Sequence, residues 1–201
     1  MKLHSIWVKV IFVLCLALLL SSTEVFARST TQNESTSDIG FKGIGPRLGY
    51  VNPGSDLDGT AQFGVAFEFG EFVRQLHWDG SVNFWSTGRN YPYYHANRYD
   101  YYSWKLSDFS LRSGVDYHFM EGPWVPYAGG GLGLHFYSWD YAGAPYYNNT
   151  NDTKLGLYID GGLEHQFSDA WTGQMQLQFD FADPDQNALM FNLIYRIHSG
   201  Y

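Results

Sequence analysis

The 201-residue chain has one cysteine and few lysines, and beyond residue 27 it keeps only Lys42, Lys105 and Lys154. Cys15 sits inside the apolar run "VIFVLCLALLL", preceded by Leu14 rather than the small residue a lipoprotein signal requires. The remainder has no thiol. A disulfide framework is therefore excluded, as is a cysteine-based metal site. No second apolar run approaches the ~20 residues of a helical membrane span, and the mean hydropathy is −0.27. Low hydropathy does not exclude a membrane barrel, because alternating strands average out. Basic residues are scarce as well, 12 against 20 acidic, for a net charge of −8. A chain this acidic is not expected to bind nucleic acid.

What is present begins with a leader. Lys2 and Lys9 flank the start, the apolar run follows, and "VFA" ends at Ala27. This three-part pattern predicts a signal peptide over 1–27, for export by the Sec pathway with cleavage after Ala27. Removing Lys2, Lys9 and Glu24 with it leaves 10 basic and 19 acidic residues, a net charge of −9. Residues 28–40, "RSTTQNESTSDIG", are polar and aperiodic and are expected to form a flexible tail. Residues 41–201 are expected to form one β domain.

The stretch "WTGQMQLQFDF", 171–181, shows the rule for that domain. Trp171, Gly173, Met175, Leu177, Phe179 and Phe181 alternate with Thr172, Gln174, Gln176, Gln178 and Asp180. A period of two means a strand with one apolar and one polar face. Seven other segments behave alike: 41–51, 60–72, 75–86, 104–119, the glycine-rich "WVPYAGGGLGLHFYSW", 154–167 and 187–198. The connections alternate too. Val73-Arg74, "MEGP" and "SDA" are short. "NPGSDLDG", "GRNYPYYHANRYD", "DYAGAPYYNNTND" and "DPDQN" are longer and wetter. Tight turns on one rim and long loops on the other is the arrangement of barrels with a periplasmic and an external end.

Two orientations are open: apolar faces packed inward, as in a soluble barrel, or outward into lipid. A soluble exterior is normally rich in Lys and Glu. Here the polar faces carry Gln, Asn, Ser, Thr, Gly and isolated charges. Such faces suit a narrow hydrogen-bonded lumen, and the Phe, Trp and Leu faces suit a lipid band. The fold expected is all-β: a closed eight-stranded antiparallel up-and-down transmembrane β-barrel.

"WVPYAGGGLGLHFYSW", "TKLGLYIDGGLEHQFSDAW" and a last strand ending "LIYRI" resemble the eight-stranded outer-membrane β-barrel family, the OmpA/OmpX/OmpW-like or porin-family domain, over about residues 41–198. The resemblance implies a Gram-negative-type outer membrane and contact with its lipid and lipopolysaccharide. It also implies insertion by the barrel-assembly machinery, and a monomer is expected. The chain departs from the family at its end: Ile197 stands where a terminal aromatic is usual, followed by "HSGY". For function, the family allows a non-enzymatic structural or surface-interaction protein, a narrow channel or carrier for small apolar solutes, or a lipid A-modifying enzyme. The first is the reading expected here.

Alternation directs Arg47, Glu68, Asp79, Arg112, Asp116, Asp160, Glu164, Asp180 and Arg196 into the lumen. They could form an ion-paired plug or a proton or ion path. No catalytic pair is legible. His135 and Ser138 have an odd offset and so face opposite sides, while His77 and Asp79 share a face without an adjacent serine. No metal is expected, since His95 and Asp100 share a loop without ligand spacing. No cofactor is expected either: "AGGG" lacks the Lys-Ser/Thr of a phosphate loop. Its glycines are expected to make room in a crowded lumen. Tyr91, Tyr93, Tyr94, Tyr99, Tyr101, Tyr146 and Tyr147 in the long loops form either an external contact patch or part of the interfacial girdle.

Overall fold

A computed structural model describes residues 37–54, 57–95, 98–142 and 148–197. The predicted leader and residues 28–36 lie outside them. Eight strands follow one another: β1 (Asp38–Pro53), β2 (Thr60–Val73), β3 (Leu76–His95), β4 (Arg98–His118), β5 (Trp124–Ala142), β6 (Thr150–Gln166), β7 (Trp171–Asp180) and β8 (Gln186–Arg196). Each pairs antiparallel with its sequence neighbours. β1 also pairs with β8, with Ile44 opposite Tyr195 and Leu48 opposite Phe191, so the sheet closes into a barrel. Closure leaves no unpaired edge, which a strand crossing lipid requires.

The apolar faces point outward. Leu48, Phe63, Leu111, Leu132, Leu157, Leu177 and Phe191 are 41–62 % exposed. On the opposite face Arg47, Gln62, Arg112, Tyr158, Gln178 and Asn192 are 6 % exposed or less. The polar faces therefore form the interior, as the scarcity of lysine implied. At the short-turn rim the outer surface carries an aromatic girdle, including Phe69 over Trp78 (4.7 Å) and Trp171 against Tyr195 (5.2 Å).

Sequence and structure differ at four places. β1 begins at Asp38, inside the predicted tail, because Asp38 and Gly70 meet across a bulge with β2 and Lys42 bonds Asp38 at 2.7 Å. Gly70 has φ +90°, and a Cβ there would lie 2.1 Å from the Asp38 carbonyl oxygen, so only glycine fits this bulge. β8 stops at Arg196 rather than 198. The segment 140–152, expected as a long loop, gives its first residues to β5 and its last to β6.

The largest correction concerns "GRNYPYYHANRYD". It is not a wet loop but the end of a hairpin in which β3 and β4 stay paired from Leu76 opposite Tyr117 to His95 opposite Arg98. β3 and β4 have 20 and 21 residues against 10 and 11 in β7 and β8. Ten extra residues extend the sheet by about 30 Å along the strand. β5 and β6, with 19 and 17 residues, support this extension. One side of the long-loop rim is therefore a raised wall and the other is low.

Candidate functional site

The lumen is filled in tiers. At the short-turn rim Arg196 bonds Glu164 at 2.7 Å and Glu68 at 3.3 Å, and Gln174 links Glu164 to Asn192. Deeper in, Arg47 donates to Gln178 at 2.8 Å and to Asn192 at 3.4 Å, and Gln176 bonds Asp160. Gly129 lies between Asp116 and Asp160 in the register, and a Cβ on it would meet an Asp116 oxygen at 2.0 Å. This glycine of the "AGGG" run thus makes room for a carboxylate.

The next tier centres on His135, which is fully buried. Its Nδ1 lies 2.8 Å from Asp108 and its Nε2 3.0 Å from Asp180. Only an imidazolium can donate to both. Arg112 donates to the same Asp180 oxygen at 3.1 Å. Trp85 Nε1 and Gln186 Nε2 each donate to Asp108 at 3.1 Å, and Gln186 reaches the Tyr137 hydroxyl at 2.8 Å. Two cations and two carboxylates balance there in a setting nearly closed to solvent.

Above this the interior turns apolar. Val51, Trp85, Leu106, Tyr137, Ala188 and Met190 are 8 % exposed or less and pack together, with Leu57, Trp104 and Trp139 against them. On the outside the change is the reverse. The row Phe84, Phe109, Phe136 is followed two residues further along by Ser86, Ser107, Ser138 and Asn151, all paired side by side. Below this line the strands are apolar outside and polar inside; above it the outward positions of β3, β4 and β5 turn polar, and their inward positions are led by Trp85, Leu106, Tyr137 and Trp139. That inversion marks where the strands leave lipid for water. Above it, Tyr91 stacks on Tyr102 (5.1 Å) and Trp104 meets Trp139 (5.9 Å), on the same side of the sheet as Trp85 and Leu106. A cavity of about 240 Å³ opens at this mouth among Leu57, Tyr137, Trp139, Asp152, Lys154 and Asp183.

No family model matches this sequence, and no curated protein matches it. Solved structures do share its architecture. OprG of Pseudomonas aeruginosa is 14 % identical at a TM-score of 0.59, over 83 % of this chain and 100 % of that one. A major outer membrane protein of Thermus thermophilus is 14 % identical at 0.56, over 78 % and 99 %. Neisserial surface protein A is 14 % identical at 0.55, over 82 % and 100 %. The fold is that of the eight-stranded outer-membrane β-barrels.

Of the charged residues that the sequence directs inward, all nine line the interior of this outer-membrane barrel, but they are not one ion-paired plug. Arg196, Glu68 and Glu164 come together at one level, and Arg112 and Asp180 at another. Asp79, Asp116 and Asp160 surround the barrel's middle without an ion pair within 4.0 Å among the described residues. Sequence reasoning does not pair His135 with Asp108, although their even spacing from Gly133 and Arg112 directs both inward. It also misses Trp85 and Tyr137, because aromatics on the polar side of a strand break the alternation. Of the loop tyrosines, Tyr91 belongs to the wall. Tyr93, Tyr94, Tyr99 and Tyr101 lie in the β3–β4 hairpin by register. Tyr146 and Tyr147 lie outside the described residues. Among the described residues no group of His, Cys, Asp or Glu is arranged to hold a metal ion.

Proposed function

We propose that this chain is a sealed, non-enzymatic barrel of the bacterial outer membrane that acts through its external face. The observation that carries this reading is the double closure of the lumen, first by the His135 tier and then by the Trp85 cluster. A barrel of eight strands has an interior just wide enough for side chains, and here they meet across it. The raised wall of β3–β6 then supplies the surface for contact with a partner outside the cell. Lys105 is exposed on the lipid side two residues beyond Ser107, at headgroup level, where it suits a lipopolysaccharide phosphate. Burial of His135 keeps the His135–Asp108 pair from acting as a general base on an external substrate. The reading includes export on the 1–27 leader, insertion by the assembly machinery and function as a monomer.

Planar-bilayer recordings of the refolded protein test it. The expected record has no stepwise conductance at physiological salt, while the protein still shows heat-modifiable migration on a gel. Discrete openings would sink the sealed-barrel reading and favour a channel. A carrier for small apolar solutes is favoured by one feature, the mouth cavity against Leu57, Tyr137 and Trp139. Saturable quenching of tryptophan fluorescence by such a solute, lost in Trp139→Ala, would select it.

A further inference from the structure

The cavity at the short-turn rim, about 480 Å³, holds more negative charge than its own cations offset. Seven of its lining side chains are carboxylates; the permanent cations are Lys42 and Arg196. Both are engaged. Lys42 bonds Asp38 at 2.7 Å, and Arg196 is shared by Glu68 and Glu164. His77 stacks on His118 at 3.7 Å and lies 3.4 Å from Glu71. Asp79 and Asp116 form the floor. Asp116 is 6 % exposed, lines the cavity, and its Oδ1 has no hydrogen-bond partner among the described residues; Oδ1 of Asp79 is likewise without one. A carboxylate oxygen held out of water without a donor is costly. The floor, where the Asp116 carboxyl also meets Asp160, is thus short of donors, and the walls are short of positive charge.

The shape of this deficit selects the ligand class. A bare divalent cation needs 6 to 8 converging oxygens, and no metal-holding group exists among the described residues. The carboxylates are instead strung from Glu71 and Asp169 at the rim to Asp79 and Asp116 at the floor. Between them the stacked imidazoles of His77 and His118 offer an aromatic face. An extended cation, with ammonium groups separated by methylenes, meets both requirements. Its N–H groups donate to separated carboxylates, and its methylenes lie along the rings. We propose that this vestibule binds a linear oligoamine, with one ammonium at Asp79 and Asp116 and another beside Glu71.

Isothermal titration of the detergent-folded chain with spermidine, at physiological salt, tests the assignment, with magnesium chloride titrated separately. A saturable one-to-one isotherm is expected for spermidine and none for magnesium. The double variant Asp79→Asn/Asp116→Asn should weaken binding about tenfold or more, the loss of charged hydrogen bonds. Asp152→Asn, at the opposite mouth, should bind as the parent does. Heat-modifiable migration reports whether each variant is folded; Glu71→Gln, at the accessible rim, gives a weaker loss and serves should the floor variant not fold. Absence of saturable heat with spermidine overturns the proposal. So does equal binding of magnesium, or unchanged affinity in the folded floor variant and in Glu71→Gln.

Discussion

Phe84 and Trp85 are neighbours on β3, yet Phe84 is 37 % exposed on the outer surface and Trp85 is fully buried in the lumen. At this step the strand exchanges one rule for another. Phe84 is the last residue of its face to meet lipid, and Ser86 follows it. Trp85 is the first of its face to prefer apolar company, after Ser81 and Asn83. A strand emerging from a bilayer into water must invert in this way if its extension is to keep a core.

The inversion on β3–β5 predicts a membrane boundary between Phe109 and Ser107, so arginine substitutions on either side of it should differ in effect. Leu111→Arg, near the middle of the lipid-facing run of β4, should destabilise the folded protein by about 2–4 kcal/mol. Ser107→Arg lies just beyond Phe109 on the same face and should cost about 0–1 kcal/mol. Folding titrations into lipid vesicles with guanidinium measure both. Equal penalties would mean that the serine row sits inside the bilayer.

The imidazole of His135 bridges two buried carboxylates, and its removal leaves them with one guanidinium, that of Arg112 on Asp180. His135→Asn keeps some of the size and hydrogen bonding but removes a positive charge. Breaking one partner from a buried charged set costs about 3–5 kcal/mol. The expected result is a fall of that order in the same vesicle titration, with the double variant His135→Asn/Asp108→Asn recovering part of it by restoring neutrality. A double variant less stable than either single one would show that charge balance does not govern this tier.

The barrel itself is legible because lipid imposes period two with few exceptions: "WTGQMQLQFDF" shows its faces without ambiguity, and the structure has β7 over Trp171–Asp180. The lumen residues are legible for the same reason, since parity alone directs Arg112, Asp160 and Asp180 inward. Which of them pair is not legible, because pairing depends on contacts across the barrel, such as Arg112 with Asp180 and Arg47 with Gln178. The wall escapes sequence reasoning for a physical reason as well. Gly88, Asn90 and Pro92 are turn formers in isolation, but Pro92 is held opposite Tyr101 by a hairpin already zipped below it. The inversion at Trp85 hides the continuation further, because scoring alternation in one sense loses a strand whose apolar side changes.

The wall is tied to the low side of the rim by Asp58, in the β1–β2 connection, which forms a two-point ion pair with Arg89 of β3. Both side chains are about half exposed, 53 % and 43 %, so the pair orders a loop rather than stabilising the fold. The hydrogen bonds from Arg89 hold the Asp58 carboxyl below its ordinary range. A depressed carboxylate contributes above its unfolded value, near 3.9, and the contribution is lost as pH falls through the lower folded value. The loop should therefore stay fixed to the wall at neutral pH and release as the pH falls below the ordinary aspartate range. Carbon-13 NMR of the Asp58 carboxyl in detergent micelles is expected to titrate below a free aspartate, and Arg89→Gln should return it to the ordinary value. An unchanged midpoint in Arg89→Gln would show that the contact does not hold the loop in solution.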